Sequence, residues 1–158
     1  MAVFDFNDLL ADLQPLIADV MAARASEDRL AAFGEMRDRL IDHFEAVEPT
    51  LYAALRRFPQ LSLNLIEASR ARNDIRLALT TLSLFPPDSD AWLGMFVALH
   101  GGVRRYFGDT EARLAEVAGR ILGGAELRRL GVEANRIRGV YAAEPSTRES
   151  VVQQGISQ

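Results

Sequence analysis

The chain has 158 residues, 49% of them apolar and 25% charged, enough for one domain around a single hydrophobic core. It has no cysteine, which excludes disulfides, a thiol nucleophile and Cys-ligated zinc or iron–sulfur sites and fits a reducing compartment such as the cytoplasm. A net charge of −4 offers no basic surface for nucleic acid, although all eighteen cations are arginine.

The predicted elements are helical throughout. No apolar run approaches the roughly 20 residues that a membrane-spanning helix needs, so no membrane segment is expected. The start, MAVFDFNDLLADL, is acidic where a secretory signal is basic. Leu9, Leu13, Leu16, Ile17 and Val20 recur at three- and four-residue steps, the mark of one apolar helix face. Pro15 should kink this helix or mark a later start. Ser26 is placed to cap a second helix over about 27–57, with Leu30, Phe33, Leu40, Phe44, Val47, Leu51 and Leu55 as its stripe. Phe58-Pro59 ends it.

A third helix, about 61–84, turns Leu61, Leu65, Ala68, Ile75, Leu79 and Leu82 inward. Pro86-Pro87 breaks the chain, and Asp88 or Ser89 caps a fourth helix over about 90–122. Its stripe is Trp92, Phe96, Leu99, Val103, Phe107, Leu114, Val117 and Ile121. Gly101-Gly102 weakens it locally, and Gly123-Gly124 stops it. A shorter fifth helix covers about 125–139. The domain is taken as 1–143, and Glu144–Gln158 is a polar, aperiodic tail expected to be mobile. Four long helices with short connections favour an all-α, antiparallel up-down bundle with the short fifth helix at one end.

The second and fourth helices share a segment. HFEAVEPTL starts at His43 and YFGDTEARL at Tyr106; both have Phe second, Glu sixth and Leu ninth. On internal evidence this is either a repeat or a chance likeness of two amphipathic helices. With HFEAVEPTLYAAL, ARNDIRLAL, PPDSDAWL, YFGDTEARL and ELRRLGVEANRIRG in order over about 5–139, the chain resembles the hemerythrin-like, or HHE cation-binding, domain family. That family holds a pair of iron ions or related metals inside a four-helix bundle, on histidines and carboxylates one helical turn apart. Imidazole and carboxylate at i and i+4 share a face and suit iron.

Carried over by position, the resemblance keeps His43 and loses most other ligands. The glutamate partner of His43 falls on Val47, the third-helix histidine on Arg72, and the fourth-helix pair on Tyr106 and Thr110. The first-helix histidine falls on Phe6 or Leu13. Glu48 and Glu111 follow the ligand positions by one residue and are expected to point further round, off the inward face. The resemblance therefore implies the fold and argues against metal chemistry. It leaves a vacated pocket lined by His43, Val47, Arg72, Tyr106 and Thr110, able to take a small anion.

Each residue also has a plainer reading: His43 as a half-buried imidazole, Tyr106 as a core tyrosine, Arg72 reaching the bundle edge to meet a carboxylate. Asp38, Asp42, Glu45 and Glu48 read as a solvated acidic face, and the Arg56-Arg57, Arg104-Arg105 and Arg128-Arg129 pairs as exposed. No phosphate loop, nucleophile elbow or Ser/His/Asp set is present. The expectation is a non-catalytic, cofactor-free and metal-free binding or regulatory module, cytoplasmic, with an unknown protein partner or small anion and with homo-oligomerisation open. Two alternatives stand beside it. One is a haem- or oxygen-sensing, globin-like protein using His100 within LHGGVRRYF; the other is weak metal binding through His43.

Overall fold

The computed structural model describes residues 6–139, with side chains from Leu9 onward. All regular structure among them is helical. The elements are α1 (Phe6–Ala22), α2 (Ser26–Val47), a π-helical turn (Glu48–Tyr52) running into α3 (Ala53–Leu55), and a 3₁₀ turn (Pro59–Leu61) leading into α4 (Ser62–Leu84). Then come α5 (Asp90–Arg105), a second π-helical turn (Tyr106–Glu111), α6 (Ala112–Leu122) and α7, residues 124–139. The predicted second and fourth helices are thus each one rod, widened by a π turn. Phe6 and the tail from Glu144 fall outside the described side chains.

The punctuation residues act for identifiable reasons. Phe58 is extended before Pro59, where the α region is sterically closed. Ser89 caps α5, its hydroxyl accepting from the Trp92 amide at 3.2 Å. Gly123 ends α6 in a left-handed conformation, φ 84°, that other residues avoid. Pro15 lies on the solvent face of α1, so the carbonyl it leaves unbonded meets water and the helix continues.

Two expectations fail. Ser26 is the first helical residue, and Ala25 before it makes no side-chain cap. Leu30 is 43% exposed, at the edge of the stripe rather than in it. What secures the α1–α2 corner is Arg29. Its guanidinium donates to the carbonyls of Val20 at 3.1 Å, Ala23 at 2.8 Å and Pro87 at 2.7 Å. One side chain thereby satisfies the open end of α1 and ties it to the loop before α5.

α1 packs along α2, and α4 along α5; α1 also meets α5 and the second π turn, and α2 meets α4. All enclose one core, in which Leu13, Phe33, Leu40, Phe44, Leu51, Trp92, Phe96 and Phe107 are fully covered. Trp92 donates from its indole to the Leu82 carbonyl at 2.8 Å, pinning α5 to α4. Leu130 and Ala134 of α7 are buried, so α7 belongs to the same core.

Candidate functional site

The polar residues of the interior gather where the two π turns face each other. Pro49 gives the first turn a cause: it has no N–H to donate and its ring clashes with the carbonyl four residues back, so the helix widens there. Thr50 closes the widened turn, its hydroxyl donating to the Ala46 carbonyl at 2.7 Å. The second turn contains Gly108, the weakest helix former after proline.

Between these turns runs a hydrogen-bonded chain. His43 Nε2 lies 2.8 Å from Glu111 Oε2. The Tyr106 hydroxyl donates to Glu111 Oε1 at 3.3 Å and sits 2.6 Å from the Tyr52 hydroxyl. Arg72 Nη1 makes a long contact of 3.4 Å to the same Tyr106 oxygen, and its Nε donates to Glu48 Oε1 at 3.1 Å. Arg76 donates to that Glu48 oxygen at 2.8 Å. At the other end, Arg138 of α7 donates from Nη1 to His43 Nδ1 at 2.9 Å and also meets Asn135.

A guanidinium can only donate, so Nδ1 of His43 must present its lone pair to Arg138 and the ring proton sits on Nε2, donated to Glu111. The Tyr106 proton is committed to Glu111, so Tyr52 donates to Tyr106. Every step of the chain then has a donor and an acceptor.

Aromatic rings wall the network. Phe107 meets the His43 ring edge-on at 5.1 Å, Phe44 meets Tyr106 edge-on at 5.5 Å, and the Arg72 guanidinium lies 3.9 Å over the Tyr52 ring. Burial, then the nearby Glu111 charge, pushes both Tyr52 and Tyr106 well above the ordinary phenol range, so each stays a neutral hydroxyl. Burial works against the charge on Arg72, but the tyrosines and Glu48 more than offset it and hold the guanidinium charged. Burial alone would raise Glu48; the hydrogen bonds and charges of Arg76 and Arg72 outweigh it and keep this carboxyl below its usual range.

His43, Arg72 and Tyr106 therefore come together as neighbours in one network. Val47 is fully covered in the apolar core and makes no polar contact by its nature. Thr110 lies half-exposed in a groove of about 800 Å³ between α4 and α5, which Tyr106 also borders. Leu13 is in the core. The expectation that Glu111 points off the inward face is overturned: it is 0% exposed. A wide turn rotates less per residue than an α turn, so Glu111 stays beneath Tyr106 and Phe107. Glu48 is likewise no member of a free acidic face but the partner of two arginines. Arg56, Arg57, Arg104, Arg105, Arg128 and Arg129 are exposed, as read.

Two participants, Tyr52 and Arg138, escaped the sequence reading, and a third, Glu111, was placed on the wrong face. Glu111 follows Phe107 by four residues, a same-face spacing that could have flagged it. Tyr52 follows Pro49, the sign of a widened turn. Arg138 meets His43 across 95 residues, and no local pattern announces that.

The residues do not fit the metal pair that the family resemblance implies. The inward set offers one imidazole and one carboxylate, each already bonded to the other, with guanidinium charges of Arg72 and Arg138 at either end. Two multivalent cations need several anionic or neutral donors, not flanking cations. Among the described residues, no three His, Asp or Glu side chains cluster at ligand distance. His100, on α5, has its Nε2 buried without a hydrogen-bond partner, and burial followed by the Arg104 charge lowers its proton affinity.

Searches of family models, curated proteins and solved structures return no match to this chain.

Proposed function

We propose that this chain is a hemerythrin-like, antiparallel four-helix bundle whose metal centre has been exchanged for an internal ion-pair network, and that it works as a non-catalytic binding or regulatory module of the cytoplasm. The motif order over about 5–139 supports the bundle, as do the neighbour relations of α1 with α2, α2 with α4, α4 with α5 and α5 with α1, which form a closed cycle. One observation carries the non-catalytic reading. His43 and Glu111, the pair best suited to acid–base work, are 1% and 0% exposed and bonded to one another. A substrate cannot reach them, and their donors and acceptors are already engaged.

The network also answers what Arg72 pairs with. The carboxylate of Glu48 fills the anion position beside it. That favours a protein partner on the surface over a small anion in the interior.

A metal analysis of purified protein, prepared without chelator, tests the exchange. Iron, manganese and zinc well below one per chain are expected; one or two equivalents would overturn it, and His43 with Glu111 would be the first ligands to examine. The orphaned ring nitrogen of His100 favours a second reading, a haem site on α5. The same sample decides it: a Soret band after haem addition, lost in His100→Ala, would establish that reading in place of the first.

A further inference from the structure

The large apolar side chains left exposed are not scattered evenly. Leu63 (75% exposed), Ile66, Leu77 (66%) and Leu84 (79%) all lie on α4, Phe85 follows its end, and Val97 lies on the neighbouring α5. At 3.6 residues per turn, Leu63, Ile66, Leu77 and Leu84 fall on one outward stripe of α4, with exposed Arg70 and Asn73 between the two pairs. Scattered exposed apolar residues are ordinary, but a row along one helix marks a contact surface.

Beside this stripe lies the groove of about 800 Å³ between α4 and α5. Small residues open it: Ala71, Ala78, Ala98 and Gly102 leave space where larger side chains would close the two helices together. Leu77 stands at its margin as a projecting knob, so knob and hollow occur on the same face. The rim carries charges of both signs, Asp74, Asp109 and Arg105. Among the described residues none of the three side chains makes an ion pair or hydrogen bond within the chain. Arg105 folds back along its own helix, its Nη1 only 3.6 Å from where a Cβ on Gly101 would stand.

We propose that a second copy of this chain docks on the α4–α5 face, as a twofold homodimer. A twofold interface must be self-complementary, each patch offering what the other needs. This patch does so twice over. Leu77 of each copy can seat among Ala71, Ala78 and Ala98 of the other, and Arg105 of each can meet Asp74 of the other. The size suffices: α4, 23 residues, is about 34 Å long, and two helices side by side span about 20 Å, giving roughly 700 Å² per copy, close to the standard interface of about 800 Å² per partner. The inference rests on the outer face of α4 and α5 and does not need the hemerythrin-like reading, so either can fail without the other.

Sedimentation equilibrium of the full chain is the test. A species of 35 kDa is expected, twice the 17.5 kDa chain. Leu77→Arg should raise the dissociation constant at least about 30-fold, with circular dichroism unchanged because the residue is exposed. Val132→Arg, exposed on α7 and not among the residues lining the groove, should leave it unchanged. Arg105→Asp and Asp74→Arg should each weaken the dimer, and the two together in one chain should restore it. A wild-type monomer at about 100 µM would overturn the proposal. So would a monomer whose α4 face is protected from footprinting, since the chain's own tail or a small ligand would then cover the groove. A dimer indifferent to Leu77→Arg, or a double swap that fails to recover, would overturn it too.

Discussion

Glu48 and Glu111 hold the same place in the two similar segments, each four residues after a fully buried phenylalanine. Yet the Glu48 side chain is 30% exposed and Glu111 is sealed. The difference is where each rod widens. In the first segment the π turn starts at Glu48, so the carboxylate is reached through ordinary α turns and lies toward the flank. In the second the π turn covers Tyr106–Glu111 and delivers the carboxylate inward. One extra residue per turn, placed before or after the same glutamate, decides whether it meets solvent. The partners follow suit: the flank carboxylate takes two arginines, the inward one an imidazole and a phenol.

The largest expected effect comes from breaking the inward half. Glu111→Ala should destabilise the fold by about 3 kcal/mol in urea titration, since it strands the buried His43 N–H and the buried Tyr106 hydroxyl without their acceptor. A loss below about 1 kcal/mol would mean that water enters there, and the contrast with Glu48 would collapse. Tyr106→Phe comes next. It removes the hydroxyl that joins Tyr52, Glu111 and Arg72, though two of those contacts are long, and about 1.5 kcal/mol is expected in the same assay. No measurable loss would show the two halves to be independent.

Arg72→Leu should do less, shifting stability by under about 1 kcal/mol in thermal melts, because Glu48 keeps Arg76 and Tyr106 keeps Tyr52, while leucine suits the apolar wall. A loss near that of Glu111→Ala would instead make the guanidinium an indispensable counter-charge.

The same comparison explains what the sequence made legible. Helix limits at Phe58-Pro59, Pro86-Pro87 and Gly123 follow from local sterics, which act on a few residues and leave a readable mark. The apolar stripes follow from a fixed period. The site does not, because its key event is a local change of that period: Pro49 signals one π turn, but Gly108 is a weak sign of the other. Reading Thr110 as an inward residue assumed an unbroken α register through Tyr106–Glu111. The meeting of Arg138 with His43 depends on the return path of α7, and Leu30 shows that a period does not fix how wide a stripe is covered.

The smallest effect expected is on pH dependence, and it separates the flank carboxylate from other groups. Burial would raise Glu48, but Arg76 and Arg72 hold it below its usual 4.5 when folded. Burial, then Arg104, puts His100 below its usual 6.5. Both groups bind protons more weakly in the folded chain than in the unfolded one, so their contribution is complete at higher pH and is lost as pH falls. The loss should come in two stages, first below 6.5 as His100 takes a proton more readily when unfolded, then below 4.5 for Glu48. Each stage should amount to under about 1 kcal/mol, since both side chains are partly solvated. Asp42 works the other way: burial, with Asp38 and Glu45 nearby, raises it, so its contribution is present at low pH and fades as pH rises. Difference curves are therefore needed. Urea midpoints from about pH 8 to about pH 3 should show His100→Gln flattening the upper stage and Glu48→Gln flattening the lower. If wild type and Glu48→Gln decline in parallel through the lower stage, the two arginines do not hold Glu48 ionised, and the two glutamates differ in exposure alone.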